Sequence, residues 1–248
     1  MIALNKVSVV FNSGKPGEVQ ALKQLSLQLA PGSFNLVIGA NGSGKSTLLN
    51  VLAGTVTPSE GKVMLGGKDI SAWPVFERSK FIARIFQDPS VGTAPSLSII
   101  ENFRLASLRT RSKRPFIGLN RDFRKVVASH VSILGMQLED RLDNPVSSLS
   151  GGQRQALSLL MATFDHVDLL LLDEPTAALD PRSADLLLKL AHKVIREKQL
   201  TALMVSHDLR HCFSGVDRVL HMEQGRLRRD VDPEELASYQ LNDIRNWF

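Results

Sequence analysis

The sequence is poor in several things, and each shortage excludes a class of protein. It holds one cysteine, Cys212, so no internal disulfide can staple the chain; a disulfide scaffold is ruled out and a reducing compartment is favoured. No run approaches the roughly 18 to 20 apolar residues that cross a bilayer as a helix. The best candidates, residues 169–172 and 156–164, are short, and Ser158 and Thr163 interrupt the second. The opening residues, Met1-Ile2-Ala3-Leu4-Asn5-Lys6, have neither the basic start nor the apolar core of a secretory leader. Internal repeats and low-complexity tracts are missing too. The expectation is a soluble intracellular chain that serves a membrane, if at all, as a peripheral partner.

What is present is enough for a substantial core. The chain has 248 residues, 43% of them hydrophobic, and 22% charged residues argue against disorder. Thirty basic residues against 25 acidic give a net charge of +5, a balance that suits a nucleic-acid binder or a protein working near anionic lipid. That charge is local. Residues 104–125 carry eight basic side chains (Arg104, Arg109, Arg111, Lys113, Arg114, Arg121, Arg124, Lys125) against Asp122, a balance of +7. The remainder is slightly acidic, with 22 basic against 24 acidic residues.

Hydropathy patterning divides the chain into thirds. Residues 2–11 and 21–29 alternate apolar and polar positions, as half-buried strands do, around a turn at 12–17. A strand at 34–38 runs into a glycine-rich loop, a helix is expected over 46–53, and a short strand pair around 62–68. The middle, about 89–165, reads as helical, with stretches near 98–108, 121–134 and 153–164. In the last third, 169–173 and 201–206 are continuous apolar runs of the kind found in parallel strands covered on both faces. Asp180-Pro181 reads as a helix N-cap followed by proline at the first helical position, opening a helix to about 197. The whole is an α/β core interrupted by a helical insertion.

Two motifs carry chemistry, the second taking its weight from the first, since apolar strands often end in Asp. Gly39-Ala40-Asn41-Gly42-Ser43-Gly44-Lys45-Ser46, followed by Thr47, fits the phosphate-loop pattern G-x-x-x-x-G-K-[ST] between a strand and a helix. Its glycines let backbone N–H groups curl around a phosphate, Lys45 brings a charge to the β- and γ-phosphates, and the Ser46 hydroxyl can ligate Mg²⁺. Residues 169–172 are four leucines ending in Asp173-Glu174. A buried strand ending in a carboxylate puts Asp173 at the edge where open α/β sheets bind ligands, placed for Mg²⁺, with Glu174 placed to act as general base on water.

Leu149-Ser150-Gly151-Gly152-Gln153 completes the set. With this pentapeptide the sequence resembles the nucleotide-binding subunits of ATP-binding-cassette (ABC) transporters, notably those of bacterial uptake systems for amino-acid-like solutes, over about residues 2–225. The segment itself reads as a Ser-Gly-Gly anion nest before a helix. The resemblance implies ATP and Mg²⁺ as ligands. It implies that Ser150, Gly151, Gly152 and Gln153 close on the nucleotide of a second copy in a head-to-tail dimer. It assigns Gln87 to Mg²⁺ and the attacking water, Asp180 to the dimer contact, and His207 to the γ-phosphate and Glu174. Phe11 takes the place of the aromatic residue that stacks on adenine; the other reading of Phe11 is a strand-end core residue.

The fold so implied is a P-loop NTPase core with a mainly parallel sheet, an antiparallel β-subdomain and an inserted α-helical subdomain. It forms a single domain over 1–248, with core and β-subdomain from 1–88 and 166–248 and the helical subdomain from 89–165. The implied function is ATP hydrolysis driving solute import through a separate membrane permease, with an extracytoplasmic solute-binding protein as an indirect partner and no nucleic acid. The expected place is the cytoplasmic face of the cell membrane, where the basic stretch would meet anionic lipid or acidic permease loops, or form only a solvated face. Export, or a soluble ATPase acting on nucleic acid or ribosomes, is the alternative. The transported substrate is written nowhere in this chain.

Overall fold

The computed structural model describes residues 1–110, 120–206, 215–236, 238–239 and 247. In chain order the elements are β1 (Ile2–Phe11), β2 (Val19–Leu29), β3 (Phe34–Ile38), α1 (Lys45–Ala53), β4 (Glu60–Leu65), β5 (Lys68–Asp69), α2 (Val75–Arg78) and β6 (Ile82–Ile85). There follow α3 (Ile99–Ser107), α4 (Arg121–Val131), α5 (Gly151–Ala162), β7 (Leu169–Asp173), α6 (Pro181–Glu197), β8 (Thr201–Val205), β9 (Arg218–Glu223) and β10 (Arg226–Val231).

Two sheets result. One is four-stranded and antiparallel in the order β2-β1-β4-β5; the other is six-stranded in the order β10-β9-β3-β8-β7-β6. In the second sheet every pairing is parallel except β9 with β10. The pairing of β7 with β8 is the one expected from apolar runs too continuous to leave a face in water.

The sheet faces explain the sequence pattern. Leu170 and Leu172 of β7, Phe34, Leu36 and Ile38 of β3, and Met204 of β8 enter one apolar cluster with α3, α4, α5 and α6. Leu169 and Leu171, Val37, and Leu203 and Val205 enter a second cluster with Leu48, Leu49, Val51 and Leu52 of α1 and the interior of the antiparallel sheet. The helices between residues 98 and 162 thus share one continuous core with one face of the six-stranded sheet.

Several expectations needed correction. Simple alternation in β1 fails because bulges break its register, and Lys6 stands at φ 48°; burial runs in blocks, with Ile2, Ala3 and Leu4 inside and Asn5 and Lys6 outside. The helix expected from 121 to 134 ends at Val131 and tightens into a 3₁₀ turn over Ser132–Leu134, closed by Gly135 at φ 61°. The strands β6, β9 and β10 were not anticipated. The first is four residues long with an arginine inside it, and β9–β10 is an arginine-rich hairpin whose Gln224-Gly225 turn holds both residues at positive φ, 48° and 80°.

Candidate functional site

The phosphate loop is seated by close packing between the two sheets. A Cβ on Gly39, whose φ is 144°, would lie 2.1 Å from the Met222 carbonyl oxygen on β9; one on Gly44, φ 103°, would lie 2.7 Å from that of Ala21 on β2. Only glycine fits either position. Beyond Gly44 the chain enters α1, whose first-turn N–H groups have no intrahelical acceptor and point back at the loop. Lys45 is 5% exposed, and its Nζ donates to the carbonyls of Gly39 at 2.7 Å and Ala40 at 2.9 Å. Burial pulls its pKa below the ordinary lysine range, and the nearby Glu174 carboxylate pushes it back. A charged group folded onto its own loop's carbonyls is the arrangement an arriving phosphate would displace.

Glu174 sits just beyond the end of β7 at φ 45°, a left-handed conformation uncommon for a non-glycine residue. Its N–H donates to the Val205 carbonyl at 3.0 Å, and its own carbonyl accepts from the Ala177 N–H at 3.1 Å. These two bonds pin the residue where β7 and β8 end. Phe11, Asn41, Gly42, Gly44, Lys45, Ser46, Thr47 and Glu174 line one cavity of about 450 Å³. Phe11 is 39% exposed on its rim, which removes the core reading of that residue. Asp173 and Gln87 do not line this cavity; Asp173 ends β7, and Gln87 is exposed two residues past β6.

For a divalent cation the candidate donors are the Ser46 hydroxyl, the Asp173 carboxylate and the Gln87 amide oxygen. Among the described residues no group of three or more His, Cys, Asp and Glu side chains forms a metal cage. A few hard oxygen donors without a full cage suit Mg²⁺, which takes one carboxylate together with substrate phosphates and waters. As donor types they suit Mg²⁺ carried in by a nucleotide, with Ser46 on the cavity of the phosphate loop and Asp173 and Gln87 outside its lining.

Residues 150–153 form a different kind of site from the one expected. The helix begins at Gly151, two residues before the expected start, because Ser150 and Gln153 make a reciprocal capping box: Gln153 N–H to Ser150 Oγ at 3.2 Å, and Ser150 N–H to Gln153 Oε1 at 3.1 Å. Gly151 and Gly152 are thus helical first-turn residues, with N–H groups directed out of the helix end, rather than a nest ahead of it. Ser150, Gly152 and Gln153 line a cavity of about 340 Å³ separate from that of the phosphate loop. Asp180 caps α6, accepting from Ser183 N–H at 3.0 Å, and hydrogen bonding from the Ser183 hydroxyl first and its N–H second holds the carboxylate pKa below the usual range. His207 lies outside the described residues.

Two polar side chains that the sequence reading passed over organise this region. Gln155 is 1% exposed, and its Nε2 donates to the carbonyl of Phe86 at 2.7 Å and of Pro175 at 3.1 Å. It thereby ties α5 to the backbone beside Gln87 and beside Glu174. Arg84, on β6, reaches Asn50 of α1 and Asp173 of β7. The available signal was the residue type: a polar side chain in the buried run of a helix, and a charge inside a strand.

The basic stretch is less uniform than its charge suggests. Arg109 donates to the Ala162 carbonyl at the end of α5, Arg124 pairs with Asp143, and Arg104 reaches Ser107. Arg111, Lys113 and Arg114 lie outside the described residues. Next to it a cleft of about 660 Å³ opens between β6, residues 88–94, α3 and α5, with Ala83, Ile85 and Met161 inside and Arg84, Asp88 and Arg109 among its polar lining. No helix among the described residues is long and apolar enough to cross a membrane.

Comparison with known proteins bears on the family and the fold. Residues 22–177 match the family model described as ABC transporter. The chain is 36% identical over 253 residues to a tyrosine transport ATP-binding protein of Clostridioides difficile, covering 100% of this chain and 98% of that one. It is 33% identical to a thiamine import ATP-binding protein of Jannaschia sp., over 90% of this chain and 92% of that one. Among solved structures it superposes on an ATP-binding cassette in a dimeric post-hydrolysis state bound to ADP and phosphate. That fit has a TM-score of 0.79 at 26% identity, over 94% of this chain and 99% of the other.

Proposed function

The chain belongs to the ABC transporter family, as an ATP-binding and ATP-hydrolysing subunit, and from that premise we propose that it energises import of a small organic solute through a separate membrane permease. The direction and the solute class rest on similarity to proteins named for tyrosine transport and thiamine import. The proposed place is the cytoplasmic face of the membrane, with a solute-binding protein on the other side as indirect partner.

The reading of the chemistry is carried by one observation: Glu174, pinned in a left-handed conformation, faces the same cavity as the phosphate loop and Lys45. In the proposed reaction the loop N–H groups and Lys45 take the β- and γ-phosphates, and Phe11 covers the adenine. Glu174 accepts a proton from the attacking water, with His207 and Gln87 positioning water and γ-phosphate. Ser46, Asp173 and Gln87 would hold Mg²⁺, which when bound neutralises charge on the phosphates. Ser150 to Gln153 serve the nucleotide of a second copy; their seat on a separate cavity supports a role outside their own subunit's site. Asp180 is assigned to the contact between copies. The helical subdomain of 89–165 carries the motion to the permease, whose docking segment we place in the cleft beside β6.

Glu174→Gln keeps the shape and removes the base. Turnover is expected to fall by about 10² to 10⁴-fold, and the variant should run as a dimer on gel filtration with ATP and Mg²⁺. Normal hydrolysis by the variant would refute the assignment of the base.

A further inference from the structure

The side chain of Arg84 joins three elements at a point the family reading does not assign. Its Nη1 donates to Asn50 Oδ1 on α1 at 2.7 Å, and its Nη2 to Asp173 Oδ2 on β7 at 2.5 Å. The guanidinium carbon lies 5.0 Å from the centre of the Phe86 ring, the residue before Gln87. The ion pair is largely shielded, with side-chain exposures of 12% for Arg84 and 18% for Asp173. An arginine held by a carboxylate, an amide and an aromatic face has little freedom left, and a shielded pair of this kind interacts more strongly than a surface one.

We propose that Arg84 is a positioning residue for Asp173: it is a resident cation that fixes the carboxylate and makes an incoming divalent ion share it. The inference rests on the reading of Asp173 as the ligand of that ion. Arg84 occupies one carboxylate oxygen and leaves the other. Before nucleotide arrives, the guanidinium compensates the charge of Asp173 and aims it, so the strand end needs no rearrangement. Afterwards a fixed positive charge stands next to the divalent ion and weakens its hold. Repulsion between a unit and a double charge a few ångströms apart, screened as in water, changes an equilibrium by about tenfold. Arg84 also lines the cleft beside β6.

The test uses the full chain with a non-hydrolysable ATP analogue and Mn²⁺, free Mn²⁺ being read by electron paramagnetic resonance. Arg84→Met is expected to bind Mn²⁺ about tenfold more tightly, while Arg84→Lys, which keeps the charge and loses the fork, stays within about twofold of the parent. Asp173→Asn should weaken binding. If Arg84→Met binds Mn²⁺ no more tightly than the parent while Asp173→Asn weakens it, the role of Arg84 is overturned and that of Asp173 stands. If Asp173→Asn changes nothing, both fall. Should Arg84→Met fail to fold, Arg84→Gln, which keeps a donor for Asn50, reads the same quantity against the same expectations.

Discussion

Replacing Gln155 by leucine tests whether α5 is wired to the proposed reaction centre or merely packed against it. The amide of Gln155 is buried and gives its two N–H bonds to the carbonyls of Phe86 and Pro175, which flank Gln87 and Glu174 in the chain. Leucine has nearly the same volume and no donor. Two buried carbonyls lose their partner, each at about 1–3 kcal/mol, so a total of about 3 kcal/mol is expected. For a chain of this size that lowers Tm by roughly 6–12 °C, readable by scanning fluorimetry. Turnover is the sharper readout. Positioning errors of about 1 Å can reduce a rate by roughly 10²-fold, so ATP hydrolysis measured well below the new Tm should fall more than binding of a fluorescent ATP analogue. Gln155→Glu should be worse than leucine, because an ionised carboxylate would be a buried charge facing two carbonyl oxygens to which it cannot donate. A Tm within 2 °C of the parent would mean that the carbonyls find other partners. A lowered Tm with unchanged turnover would show that the clamp is structural only.

Two further perturbations probe the fold. Arg78 is 1% exposed and donates to four carbonyls, those of Val51 and Leu52 at the end of α1 and those of Ser71 and Trp73. At about 1 kcal/mol for each bond, Arg78→Met should lose about 4 kcal/mol in denaturant unfolding, and a loss below 1 kcal/mol would contradict the capping role. His130 lies edge-on to Phe103 and Phe164, and its pKa is lowered by burial first and by the charge of Lys198 second. The folded form therefore resists protonation that the unfolded chain accepts near pH 6.5, so this part of the stability is full above that pH and is lost as pH falls through it. His192 and His221 are shifted the same way, so thermal stability should fall between pH 7.5 and 5.5, and His130→Phe should lose less over that interval; equal losses would refute the assignment.

The legible part of this protein is the part whose chemistry fixes residue type and spacing together. The phosphate loop, Asp173-Glu174 and the N-cap at Asp180 stand where the sequence places them, because a phosphate cradle, a strand-end carboxylate and a cap are each built from neighbours in the chain. Gln155 and Arg84 were not legible for the opposite reason. Their partners are backbone carbonyls and side chains 20 to 89 positions away, and nothing local announces such a bond. The start of α5 shows the same conflict on a smaller scale. Two glycines lower local helix propensity by about 1 kcal/mol each, which points to a later start, and the Ser150–Gln153 capping box overrides them.

The basic stretch shows why net charge is a weak guide to a docking surface. As a sequence it carries +7, which suggests a cationic patch. Of its members that the structure describes, Arg109 is committed to the end of α5, where burial lowers its pKa, and Arg124 is offset by Asp143. Arg121 and Lys125 are exposed, but Asp122 lies on the same first turn of α4. Among the described members, then, part of the charge is neutralised in place, and exposed pairs are screened within about 8–10 Å at physiological salt. The feature better suited to recognising a partner is the neighbouring cleft, which combines an apolar floor with Arg84 and Asp88 at fixed positions. If the permease docks in this cleft as proposed, salt should change the rate of association with permease-containing membranes more than the lifetime of the complex, since steering is a long-range charge effect and residence would then be set by packing.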